Sequence, residues 1–132
     1  MTDRVNKKHI LYVDDDEQSR RLFGSKIADA GYEVLYAKDG NEGREVARRL
    51  QPDLIVMDLN MPIMNGIEAA SRLKSEEVTK NIPIIFLANQ DISIETQKAF
   101  VELGVLGYMQ KGIDHGEFIE RIHKAFKNQS AS

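Results

Sequence analysis

The chain has 132 residues, 42% apolar and 30% charged, the balance of one folded soluble domain rather than a disordered segment. It contains no cysteine, which excludes a disulfide framework, thiolate metal sites and a cysteine nucleophile. Eighteen basic and 21 acidic residues give a formal charge of -3. That charge lacks the footprint of a nucleic-acid binder, and no apolar run approaches the roughly 20 residues of a membrane span.

The opening residues Met1 to Lys8 have no apolar signal-peptide core behind them, so a cytoplasmic protein is expected. Ile10-Leu11-Tyr12-Val13 predicts a first strand. Phe23, Ile27 and Ala30 share one face of a helix that Gly31 ends. Val34-Leu35-Tyr36 predicts the second strand, and Gly43, Val46, Ala47 and Leu50 the buried face of a helix closed by Pro52. Leu54 to Met57 predicts the third strand; Ile67, Ala70 and Leu73 mark the next helix. Ile82 to Leu87 predicts the fourth strand, and Thr96, Ala99, Phe100 and Leu103 a helix before Gly104. Leu106 to Gln110 predicts the fifth strand. Phe118, Ile119, Ile122 and Phe126 mark the last helix, with Asn128 to Ser132 read as a frayed tail.

Strands one, three and four are almost continuously apolar, as strands buried on both faces are. Alternation of strand and helix predicts an α/β fold, an open parallel sheet with helices on both faces, in a single domain spanning residues 1–132.

In such sheets ligands bind beyond the carboxyl ends of the strands. Strand one runs into Asp14-Asp15-Asp16-Glu17, strand three into Asp58, strand four into Ala88-Asn89-Gln90, and strand five into Lys111. Taken singly, the aspartate run fits a solvated turn, Asp58 a loop cap and Lys111 a surface lysine. Their convergence at one edge of the sheet favours a site. Clustered carboxylates repel, and a hard cation such as Mg²⁺ resolves that repulsion. Such a cation and Lys111 together form a receptacle for a phosphoryl group, with Asp58 as a carboxylate nucleophile.

The sequence is similar to response regulator receiver domains of the chemotaxis (CheY-like), stand-alone type. The resemblance covers about residues 8–127. It rests on Ile10-Leu11-Tyr12-Val13-Asp14-Asp15, on Leu54 to Pro62 with Asn65-Gly66 after it, and on Gly107-Tyr108-Met109-Gln110-Lys111. It implies a flavodoxin-like doubly wound five-stranded sheet of order 2-1-3-4-5 flanked by five helices. It also implies that Asp58 is the phosphoacceptor, that Asp14, Asp15, Asp58 and the Asn60 carbonyl hold Mg²⁺, and that Lys111 contacts the phosphoryl group. Asn60 and Gln90 correspond to positions that tune access of water, and Tyr108 to an aromatic that turns with activation.

Two positions depart from the family. Ala88 stands where Ser or Thr usually supplies a switching hydroxyl; Asn89 carries an amide next to it. Gly112 replaces a proline joined by a cis bond, and a non-proline cis bond costs about 2.5–4 kcal/mol, so a trans bond or a mobile turn is expected. The resemblance implies a bacterial two-component receiver, not an enzyme in its own right, phosphorylated by a histidine kinase or histidine phosphotransfer protein. A downstream protein would dock on helix four, strand five and helix five; no nucleic acid or membrane partner is expected. The alternative is a docking or scaffold module of the same fold that works without phosphate. A Mg²⁺-dependent phosphatase ranks last, because Asp14-Asp15-Asp16 continues without the threonine of an Asp-x-Asp-x-Thr nucleophile motif.

Overall fold

The computed structural model describes residues 7–61 and 64–131. Most of the amino-terminal stretch, Pro62 of the third-strand motif and Ser132 lie outside the described residues. Among the described residues five parallel strands, β1 (His9–Val13), β2 (Glu33–Ala37), β3 (Leu54–Asp58), β4 (Ile84–Ala88) and β5 (Gly107–Gln110), lie in the order β2-β1-β3-β4-β5. They alternate with α1 (Glu17–Asp29), α2 (Gly40–Leu50), α3 (Gly66–Ser75), α4 (Ile94–Leu103) and α5 (His115–Ala131). None of these helices is long and apolar enough to cross a membrane.

The side-chain period of two splits the apolar strand residues between two cores. Ile10, Tyr12, Leu54, Val56, Leu87 and Met109 pack with Phe23 and Ile27 of α1 and with Phe118 and Ile122 of α5. Leu11, Val13, Ile55, Met57, Phe86 and Ala88 pack on the other face with Ala47 of α2, Leu73 of α3 and Phe100 of α4. Burial on both faces is why three strands read as unbroken apolar runs.

All five helices begin at a residue whose side chain accepts a backbone N–H three positions on: Asp16, Asp39, Asn65, Ser93 and Asp114. Each places the start of its helix just beyond a strand end. Gly66 is required where α3 meets β3. A Cβ there would lie 2.7 Å from the carbonyl oxygen of Asp58 and 2.9 Å from the Cα of Leu59, both backbone atoms. The close approach fixes the end of β3.

Three expectations are corrected. β4 begins at Ile84 rather than Ile82, because Pro83 has no N–H and the Ile82 N–H bonds instead to the carbonyl of Thr79. Leu50, expected on the buried face of α2, is 55% exposed; the chain turns away immediately after it through Gln51, whose φ is 51°. Asn128 to Ala131, expected to fray, continue α5, since none of these residues is a Gly or Pro that would stop it.

Candidate functional site

Continuing each alternation by two residues carries Tyr12 to Asp14, Val56 to Asp58 and Met109 to Lys111. The three groups therefore emerge at the carboxyl edge of the sheet, on the side of α1 and α5. Asp14 is fully buried and Asp58 is 2% exposed, while Asp15 is exposed. One carboxylate oxygen from each lies within 4.8 Å of the others. The Lys111 ammonium reaches across from the end of β5, with Nζ 2.9 Å from Asp14 Oδ2 and 3.7 Å from Asp58 Oδ2. The Lys111 main-chain N–H donates to the carbonyl of Ala88 (2.8 Å), which fixes where the lysine leaves the strand.

A ring of neutral and charged donors holds these groups in place. Asp14 Oδ2 also accepts from the Tyr12 hydroxyl (2.8 Å), and Oδ1 accepts from the Asp16 N–H (3.0 Å). Arg20 Nη1 donates to the Asp14 carbonyl (2.6 Å). Asp58 Oδ1 accepts the Asn60 N–H (3.2 Å). Ser19 Oγ accepts from Lys111 Nζ (3.4 Å) and donates to Asp16 Oδ2 (2.8 Å). Sequence reasoning missed the Tyr12 hydroxyl and Ser19. The first had a signal: Tyr12 precedes Asp14 by two residues on a strand, so both face the same way.

Electrostatics set the behaviour of the cluster. Burial pushes the Asp58 carboxyl up to about 6, and the charge of Asp14 adds to the rise; Lys111 and the Asn60 N–H oppose it. Burial pulls the Lys111 ammonium down, but its hydrogen bond to Asp14 and the charges of Asp14 and Asp58 outweigh burial and hold it above the ordinary lysine value. Burial, reinforced by the Asp14 charge, also raises the Tyr12 hydroxyl, so Tyr12 stays a neutral donor. The donor set of Asp14, Asp15 and Asp58 is all carboxylate oxygen and carries more negative charge than Lys111 balances. That chemistry fits a hard divalent cation such as Mg²⁺.

The remaining predicted positions surround this cluster. Ala88 is buried with Phe86 and Phe100, while Asn60, Asn89 and Gln90 are exposed. Asn60, Ala88 and Gln90 line an open cleft of about 400 Å³ between the starts of α3 and α4. Tyr108 is half-buried, its ring 6.0 Å from Phe100, whose ring is 4.8 Å from Phe86. There is no cis peptide among the described residues, so Lys111-Gly112 is trans, as expected. A Cβ at Gly112 would meet nothing within 4 Å. Gln110 Nε2 donates to Asp91 Oδ1, tying the end of β5 to the loop before α4; no local sequence pattern announces this tie.

Comparison with known proteins agrees with this geometry. The sequence model of the response regulator receiver domain matches residues 10–123. The polar-differentiation response regulator DivK of Brucella ovis is 32% identical over 115 residues, 87% of this chain and 93% of that protein. The chemotaxis response regulator CheY4 of Vibrio cholerae superposes with a TM-score of 0.83 at 28% identity, over 90% of this chain and 98% of that one. The receiver domain of the Francisella response regulator 1452 gives a TM-score of 0.83 at 27% identity, over 93% and 99% of the two chains. The chain belongs to the response regulator receiver family, whose members are signalling regulators of two-component systems rather than classical enzymes.

The raised Asp58 carboxyl has a defined consequence for stability. Its proton is held more tightly folded than unfolded, so stability falls as pH rises from about 4 to about 6 and stays at the lower level above that. In chelator, Asp58→Asn is expected to stabilise the protein at neutral pH by about 1–2 kcal/mol, a gain that disappears below pH ~4. Lys111→Met is expected to destabilise by about 2–3 kcal/mol, since it leaves both carboxylates unpaired. Urea unfolding across this pH range checks both signs; a destabilising Asp58→Asn would refute the charge account.

Proposed function

We propose that the chain, as a single receiver domain over residues 1–132, accepts a phosphoryl group on Asp58 from the phosphohistidine of a histidine kinase or histidine phosphotransfer protein, in the bacterial cytoplasm. The supporting observation is the buried Asp58 carboxylate lying 3.7 Å from the Lys111 ammonium and beside Asp14 and Asp15. An Asp58 oxygen attacks phosphorus as the phosphorus–nitrogen bond of the donor breaks; the imidazole leaves with the bonding pair and takes a proton from water. Lys111 offers its ammonium to a phosphoryl oxygen, and the Asn60 N–H holds Asp58 Oδ1 so that attack falls to the other oxygen. Mg²⁺ held by Asp14, Asp15, Asp58 and the Asn60 carbonyl would supply charge neutralisation at the phosphoryl oxygens. Asn60 and Gln90 govern water access to the acyl-phosphate, a role supported by their exposure at the cleft. Output passes to a downstream protein through α4, β5 and α5.

Ala88 has no hydroxyl to draw toward a phosphoryl oxygen, and Gly112 stands in open space. A ligand shifts an equilibrium only through contacts that differ between the two states. Coupling from Asp58 to Tyr108 is therefore weaker here than in members with Ser or Thr at this position. The same observation favours one second reading, a docking module of this fold that works without phosphate.

Incubation with acetyl phosphate and then intact-mass spectrometry tests the chemistry. The expected result is one phosphoryl adduct that requires both Mg²⁺ and Asp58. No adduct from either acetyl phosphate or a phosphorylated histidine protein, including at early time points, would leave the docking module. Amide NMR of the phosphorylated sample is expected to show small shifts in β5 and α4; large shifts there would contradict weak coupling.

A further inference from the structure

We infer that the Tyr12 hydroxyl is a positioning group for Asp14, holding that carboxylate in the orientation that binds the cation; the inference rests on the Mg²⁺-dependent receiver reading. Tyr12 lies on an inner strand of the sheet, in β1 between β2 and β3, and is fully buried. Its ring stacks on Phe23, with centroids 6.0 Å apart and planes 19° from parallel. Packing alone does not call for the oxygen. Phenylalanine would fill almost the same volume and bring no polar group to satisfy in the core. The hydroxyl instead finds its partner in Asp14 Oδ2 at 2.8 Å.

Asp14 Oδ2 is shared by two donors, Tyr12 and Lys111. They differ in what phosphorylation would do to them. Lys111 sits on a flexible stem, with Gly112 after it, and its proposed task is to meet a phosphoryl oxygen on Asp58. Turning to that task loosens its hold on Asp14. The Tyr12 hydroxyl cannot turn away, because its ring is fixed between the strands and Phe23. With the Asp16 N–H on Oδ1, Tyr12 then keeps the plane of the Asp14 carboxylate set through the reaction. Groups that hydrogen-bond a metal-binding side chain typically raise metal affinity 10–100-fold by this route.

Calorimetric titration of Mg²⁺ into the wild type, Tyr12→Phe and Phe23→Leu tests the assignment. Tyr12→Phe removes the hydroxyl and keeps the ring, whereas Phe23→Leu loosens the packing and keeps the hydroxyl. The expected result is an affinity about tenfold weaker in Tyr12→Phe and close to wild type in Phe23→Leu. The rise in melting temperature with Mg²⁺ gives the same comparison for a variant that starts out less stable. Unchanged affinity in Tyr12→Phe would overturn the inference, as would an equal loss in Phe23→Leu, which would trace the effect to packing. If the wild type itself bound no Mg²⁺, the receiver reading beneath would fall and take the inference with it.

Discussion

Two carboxylates, Asp14 and Asp58, are buried within reach of a single ammonium, Lys111. Each ion loses most of its hydration there, and one positive charge cannot balance two negative ones and the exposed Asp15 beside them. The fold supports this cost from below. β1, β3 and β5 bring the three groups together because each strand ends at the same edge of one parallel sheet. The two cores hold those ends rigidly. Gly66 lets α3 press against the backbone of Asp58 and Leu59, and the Ala88 carbonyl holds the Lys111 N–H. A less rigid frame would let the carboxylates turn to water, and the uncompensated charge that draws a cation would be lost.

Much of this was legible in the sequence because it depends on period and position. Continuous apolar runs identified the doubly buried strands, and the strand–helix alternation identified the parallel sheet. The chemistry-bearing residues could then be placed at the carboxyl end of each strand. What stayed hidden depends on how separate elements pack. The Ser19 contact to Lys111 joins residues 92 positions apart, and the Gln110–Asp91 tie joins a strand end to a loop. Neither has a local pattern. The missed end of α5 and the exposed Leu50 are boundary effects, where the helical period continues but the packing that usually accompanies it does not.

Two structural features bear on the proposed weak coupling between Asp58 and Tyr108. Phe86, Phe100 and Tyr108 form an aromatic path from β4 through α4 to β5. Ala88 sits at the site end of that path without a polar atom to sense charge on Asp58. The Gln110–Asp91 hydrogen bond provides another mechanical link between the strand that carries Lys111 and the loop leading into α4.

The site depends on Asp58 carrying a negative charge that burial and Asp14 disfavour. A carbon-detected NMR titration of the aspartate carboxyls in chelator measures this directly, with Asp58 assigned by difference from Asp58→Asn. The account predicts a midpoint at about 6 for Asp58, falling when Mg²⁺ is added. A midpoint at the ordinary 3.8, unmoved by Mg²⁺, would contradict it.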